Sequence, residues 1–267
     1  MKLDLTPSKA DMLQNCPLAF QEKFIKGLRE PFRPTPASQL GLNVHATLNT
    51  FYRRGAHANH DSADLLRLLN TKWDSAGFSS SSPEDEEVFR QEARLMLTDF
   101  YHASQSEPPA SNRLLEYSYN SSRSLTLGQH KVGLSGRFDR LDVLADGSIE
   151  VLDYKTSNPP STGLPDEQEM AERLDNLIYY RLAAEMYPQA TSITISRYYL
   201  KSKRKVAVRY TPGRVQAARD LLLELLDQLE AGIVPPVQNE SCSWGLVRRA
   251  GKCPNFATPD PAELILF

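Results

Sequence analysis

The chain has 267 residues, 31 Lys and Arg against 33 Asp and Glu, a net charge of −2 and 40% hydrophobic residues, enough to build a sizeable core. That balance tells against a protein that coats nucleic acid through bulk positive charge, though not against an enzyme with a local basic channel. There is no run of 18 apolar residues, Met1-Lys2-Leu3-Asp4 opens no signal sequence, and three cysteines make no paired framework, so a soluble cytoplasmic protein without membrane contact is expected.

Thr6 followed by Pro7 caps a short helix through about Asn15, ended by Pro17. Pro31, Pro34 and Pro36 read as an extended linker before a helix that carries His45 and runs to about Arg54. Helices follow from about Ser62 to Ser75 and Pro83 to Ala103, with Val88, Leu95 and Phe100 on a helical period and Ser79 to Ser82 as the loop between. From Leu114 the pattern alternates, with strands at Leu115 to Asn120, Val132 to Asp139, Leu141 to Leu144 and Ile149 to Tyr154. A helix from about Gln168 to Met186, strands at 191–200 and 205–210, and a helix from Thr211-Pro212 to Gly232 complete the order. Residues 1–110 are thus mainly helical, 111–232 form the sheet core and 233–267 a tail, and no repeat is visible. A meander, a crossover helix and a further strand imply an α/β core with a partly parallel sheet.

The chemistry concentrates in Gly136-Arg137-Phe138-Asp139-Arg140-Leu141-Asp142 and Val151-Leu152-Asp153-Tyr154-Lys155-Thr156, joined through an Asp146-Gly147 turn. Asp153 and Lys155 are two apart and share a strand face, and the hairpin returns Asp139 toward them. Isolated, D-x-K is usually a solvated strand end. Here Asp153 follows Ile149, Val151 and Leu152, where a charge is costly unless paired or metal-bound. Two carboxylates and a lysine at one point suit Mg²⁺ or Mn²⁺ and a phosphodiester. Glu116, at the start of the first strand, is placed to touch the metal's surroundings or to pair with a base. Lys201, Lys203, Arg204 and Lys205 crowd a hairpin tip that reads equally as a solvated turn or a phosphate-gripping loop. Arg248, Arg249 and Lys252 form a second basic group.

The run G-R-F-D-R-L-D followed by V-L-D-Y-K-T resembles the signature of the PD-(D/E)XK nuclease superfamily, in particular its RecB-like exonuclease branch with the RecB and AddB nuclease domains. Leu5-Thr6-Pro7-Ser8-Lys9 and Cys16-Pro17-Leu18-Ala19-Phe20 are similar to the family's opening helix and its C-P-x-x-F turn. Gly41 to His45 is similar to its G-x-x-x-H helix, and Asn176-Leu177-Ile178-Tyr179-Tyr180 to its Q-L-x-x-Y segment, with Asn176 in place of the usual glutamine. Many relatives hold an iron–sulfur cluster on four cysteines. Only Cys16, Cys242 and Cys253 are present, Gly245 stands at a partner position and Ser241-Cys242-Ser243-Trp244 echoes the tail, so no cluster is expected.

The resemblance implies a restriction-endonuclease-like core, a mixed central sheet flanked by helices, with a helical N-terminal insertion. It implies Asp139, Asp153 and Lys155 as catalytic residues, with His45, Asp139, Asp153 and the Tyr154 carbonyl as ligands of Mg²⁺ or Mn²⁺. Asn176 and Tyr180, on one side of their helix, are then candidates for the substrate channel, although core packing accounts for Tyr180 equally well. The activity implied is metal-dependent hydrolysis of DNA, exonucleolytic on single strands, in repair, recombination or defence. The chain carries no G-x-x-x-x-G-K-[ST] motif, so unwinding would fall to a partner helicase or another repair or defence protein. An inactive DNA-binding subunit of a larger complex and an RNA-directed nuclease stay open, and the intact D…D-x-K with His45 argues against the first.

Overall fold

The computed structural model describes residues 1–29, 34–54, 61–79, 81–160, 163–238, 242 and 245–255. Pro31, Ser80, Ser241, Ser243 and Trp244 lie outside the described residues, as does the tail from 256. Among the described residues seven strands join in one sheet: β1 (Lys2–Leu5), β2 (Ala110–Asn120), β3 (Leu125–Leu127), β4 (His130–Leu144), β5 (Ile149–Lys155), β6 (Ile193–Tyr199) and β7 (Arg204–Arg209). The order is β1-β4-β5-β6-β7, with β2 and β3 also on β4. β1 is parallel to β4 and β5 to β6, and the other pairs are antiparallel.

Helices cover both faces. α3 (Pro36–Arg53), α4 (Ser62–Lys72) and α5 (Pro83–Ser104) enclose one core with Leu152, Tyr154 and Tyr198. α1 (Pro7–Asn15), α6 (Glu167–Glu172), α7 (Leu174–Met186) and α8 (Pro212–Glu230) enclose the other with Phe138, Leu141, Val151 and Ile195. Two short helices, α2 (Pro17–Phe20) and α9 (Leu246–Arg249), complete the set. Thr6, Thr35, Ser82 and Thr211 start their helices alike: each side chain accepts a backbone N–H of the first turn, and a proline follows. No helix among the described residues is long and apolar enough to cross a membrane.

The mixed sheet between helices is the expected architecture, with local corrections. The two strands expected at 132–139 and 141–144 are one strand, β4, because Arg140 is buried within it. The helix expected over 168–186 breaks at Arg173, whose ψ of 124° is extended, and Gln14 of α1 accepts the N–H of Leu174 at 2.9 Å. Pro36 starts α3 instead of extending the linker. Val88 and Leu95 are exposed, since α5 buries the stripe Ala93, Met96, Leu97 and Phe100. β1 and β3 are too short to carry a readable alternation, and β2 starts five residues before the expected Leu115.

Two features of β4 shape the site. Phe138 and Leu141 sit three residues apart yet enter the same core, so the side-to-side alternation slips between them. The slip falls where Glu116 of β2, flanked by the pairs Leu115↔Arg140 and Tyr117↔Phe138, takes a left-handed φ of 47°. The second feature is a gap in pairing. β4 meets β1 only at 131–134 and β5 only at 140–143, so Ser135 to Phe138 pair with β2 alone, and Asp139 falls at the slip, outside all of these registers.

The slip also turns Arg140 into the second core. Its guanidinium meets Asp142 at 2.5 Å, Glu107 at 2.6 Å and the Tyr52 hydroxyl at 3.2 Å, while Arg113 pairs with Asp142 at 2.6 Å. Both arginines lie over the Tyr52 ring, which belongs to α3. Burial acts to discharge Arg140, but Tyr154, Asp142 and Glu107 raise its pKa, and it stays charged. The network fixes α3 to β4. Arg140→Ala should therefore lower the unfolding free energy by about 3–5 kcal/mol, the scale of a broken buried ion pair, as measured by denaturant titration. A loss under about 1 kcal/mol would show that the network does not hold the two elements together.

Candidate active site

The gap in β4 pairing ends beside the point where α3 passes the end of β5. A Cβ on Gly41 would stand 3.2 Å from the Thr156 Oγ1, so the helix passes against the end of β5 where a larger residue would crowd it. One turn later His45 reaches the same place. Its Nε2 lies 3.1 Å from the Tyr154 carbonyl oxygen, and its Nδ1 is 3.5 Å from Asp139 Oδ2 and 3.9 Å from Glu116 Oε1. The Tyr154 N–H donates to Asp139 Oδ2 at 3.0 Å. His45, Glu116 and Asp139 offer ligand atoms all within 4.8 Å of one another, the one such group among the described residues.

Asp153 stands beside this group and not within it. Its Oδ2 is 2.7 Å from Lys155 Nζ and 3.7 Å from Arg197 Nε. Arg197, on β6, is itself held by Asp175 and by the Asn176 side-chain oxygen at 3.2 Å, both on α7. The strand pair therefore presents two linked units, an acid–imidazole group on β2, β4 and α3 and an acid–lysine pair on β5 backed by a buried arginine.

The charges answer to this packing. Burial, then the Asp139 charge, push the Glu116 carboxyl above the ordinary range. Burial alone would lower His45, but its contact with Asp139, helped by Asp153 and Glu116, raises it. Burial alone would raise Asp139, but His45 and the Tyr154 N–H hold it low. Lys155 is likewise raised, because Asp153 outweighs burial, and so it stays an ammonium. Two hard carboxylates, an imidazole and a backbone carbonyl fit a divalent metal ion, and a cation there would relieve the crowding of acids that raises Glu116. Glu116 keeps its left-handed backbone at this point, a strain that other sites of this kind also store.

Other candidates fall elsewhere. Asn176 is 1% exposed and spends its amide on Arg197 and on the Met170 carbonyl, so it braces the core and lines no channel. Tyr180 stacks on Tyr210 with ring centroids 4.7 Å apart and does not line the cleft that opens along Ser135 to Asp139. Its neighbour Tyr179 lines that cleft, reaching the Arg137 carbonyl at 3.5 Å. The hairpin tip does form at 200–203, but Lys201 pairs with Glu92, Lys203 with Asp99 and Lys205 with Glu150, which ties the hairpin to α5 and β5. Arg204 is exposed at the start of β7. Lys252 pairs with Glu22 at 2.9 Å. Cys16, Cys242 and Cys253 are half-buried and in no disulfide among the described residues, and Cys16 separates α1 from α2. Arg197 and Asp175 were missed. The available signal was one arginine inside the apolar run Ile193 to Tyr199, a charge that needs a partner.

The sequence model of the PD-(D/E)XK nuclease superfamily matches residues 4–250. Among solved structures the chain is similar to the protein SSO0001, with 14% identity, a TM-score of 0.39 and coverage of 88% of this chain and 91% of that one. It is also similar to a candidate exonuclease from Eubacterium rectale, with 12% identity, a TM-score of 0.47 and coverage of 89% and 85%. No curated protein matches.

Cation binding should depend on pH with a definite sign. His45 and Glu116 both keep their protons to higher pH than usual, so protons compete for the same atoms. Mn²⁺ affinity should fall as pH drops through these raised pKa values and level off above them. Glu116→Gln should weaken binding at the plateau and flatten the slope, as followed by calorimetric titration across pH. Affinity that did not change with pH would mean that the cation sits elsewhere.

Proposed function

Because the chain belongs to the PD-(D/E)XK nuclease superfamily, we propose that it is a Mg²⁺- or Mn²⁺-dependent deoxyribonuclease of the RecB-like branch that degrades single strands from an end. One observation carries the chemistry: His45, Glu116, Asp139 and the Tyr154 carbonyl converge on the strand that bears Asp153 and Lys155. The RecB-like motifs support the branch and DNA as substrate.

His45, Glu116, Asp139 and the Tyr154 oxygen are the residues that would hold the cation. When bound, such an ion polarises the phosphoryl group and lowers the pKa of a water. In hydrolysis a water oxygen bonds to phosphorus, the phosphorus–oxygen bond to the next nucleotide breaks, the water gives up a proton and the leaving oxygen gains one. Lys155, held as an ammonium by Asp153, has no lone pair with which to take that proton. Its part is to donate hydrogen bonds to the water or to a phosphoryl oxygen and to offset the growing negative charge. Asp153 anchors the lysine, and Arg197, fixed by Asp175 and Asn176, keeps the Asp153 carboxylate in place. A helicase or other strand-separating partner would supply single strands, since the chain carries no nucleotide-binding loop of its own.

EDTA should abolish cleavage of end-labelled DNA, and added Mg²⁺ or Mn²⁺ should restore it. Asp139→Ala should remove Mn²⁺ binding and activity together. Lys155→Ala should keep Mn²⁺ binding but lower turnover by roughly 10²-fold or more, the scale for losing an electrostatic stabiliser. Normal turnover in Lys155→Ala would overturn the lysine's role. Linear single strands should be consumed while circular ones survive. Cutting of circles would show endonucleolytic attack, and RNA cut at the same rate would turn the reading to RNA.

A further inference from the structure

The gap in β4 pairing opens a cleft of about 450 Å³ that starts at Asp139 and leads away from it. Its floor is the stretch Ser135 to Asp139, which has a strand neighbour on one side only. Its walls carry Ser118 from β2, Tyr179 from α7, and Thr6 and Ser8 from the start of α1. Ser118 stands opposite Arg137 in the ladder and Asn120 opposite Ser135, so polar residues succeed one another along the strands from the metal-ligand group outward. At about 3.4 Å per residue, Ser135 lies on the order of 14 Å from Asp139. The Arg137 side chain is 62% exposed while its Nε stays 2.9 Å from Glu116.

We propose that this cleft is the path of the cleaved strand, and that it grips the sugar–phosphate backbone of the nucleotides next to the scissile phosphate. The proposal rests on the nuclease reading above. Hydroxyls, an asparagine amide, a guanidinium and backbone N–H groups along a cleft of this depth can bind phosphate and sugar oxygens, and contacts of that kind carry no sequence information. Grip of this kind makes cleavage indifferent to sequence. A peptide adding as an extra strand to the same edge would need pockets for alternate side chains. The cleft offers only Pro7 and Tyr179 as larger apolar surfaces. Gly136 keeps the cleft's corner closed against the core, since a Cβ there would meet Leu182 at 2.8 Å and Pro7 at 3.3 Å.

Ser8 allows a test by charge alone. It is exposed on the first turn of α1, where glutamate suits the helix dipole, so Ser8→Glu should fold as well as the parent. The probe is a fluorescent oligothymidylate with phosphorothioate linkages, bound in Ca²⁺ over a range of salt. Ser8→Glu should weaken binding by about 3- to 10-fold at low salt, and Ser8→Lys should strengthen it and steepen the salt slope by about 0.7, the value for one added phosphate contact on a single strand. Arg137→Ala should weaken binding and flatten the slope, with a Mn²⁺ titration showing whether the ligand group survives. Equal affinity and slope in both Ser8 variants would overturn the proposal, and so would weakening by lysine as strong as by glutamate. Hydrolysis of bis(p-nitrophenyl) phosphate by the parent protein checks the nuclease reading separately. A parent that cut neither this diester nor DNA would overturn that reading first.

Discussion

The pairing of β4 governs the molecule. This strand is shared by β1, β2, β3 and β5, yet each neighbour takes only part of its length. A strand edge left without a partner exposes backbone donors and acceptors, which proteins seldom tolerate without cover. Here the exposed run is five residues long, and α1 and Tyr179 stand over it. Asp139, one of the three acid and imidazole groups of the candidate metal site, ends that run. Because β5 joins β4 from residue 140 onward, the Tyr154 N–H can reach back to the Asp139 carboxylate. A fully paired β4 would hold the sheet together better and would leave no opening at this acid.

The slip at Glu116 and Asp139 follows from the same strand. Regular alternation would keep residues 138 and 140 on one side, in the core of α1 and α7. With the slip, Phe138 fills that core and Arg140 enters the other, where it binds Tyr52 of α3. One local irregularity thus brings Glu116 toward Asp139 and fastens the helix that carries His45. The left-handed backbone of Glu116 costs free energy of order 1–3 kcal/mol. The Arg140 network is the structure that sustains it.

Sequence motifs singled out Asp139, Asp153, Lys155, His45 and the Tyr154 carbonyl, which the fold brings to one end of the β4–β5 pair with Asp153 outside the His45–Glu116–Asp139 group, because each lies in a short segment whose residue types are tied to a fixed spacing. What they missed depends on partners distant in the chain. Lys201 and Lys203 looked like an open basic loop, but their acids, Glu92 and Asp99, come from a helix about a hundred residues earlier. Tyr179 and Tyr180 both fit a helical spacing from Asn176, at three and four residues, and only the packing of α7 tells which one faces the cleft. Asn176 read as a channel residue only through its resemblance to the Q-L-x-x-Y segment, and its amide is used inside the core by Arg197. Local alternation cannot reveal the slip in β4, since Arg140 reads as a break between two strands until Asp142, Glu107 and Tyr52 are seen around it.

The modest overall charge now has a structural explanation. Much of the positive charge near the sheet's working end is spent on internal pairs: Lys201, Lys203 and Lys205 on acids of α5 and β5, Arg197 on Asp175, Arg140 and Arg113 on Asp142. Lys155 and Arg137 also have acid partners, Asp153 and Glu116, but both keep more than a third of their side chains exposed toward the cleft end. Near this end of the sheet the positive charge still open to an anion is therefore that beside the acids of the candidate site, where a cation would add its own.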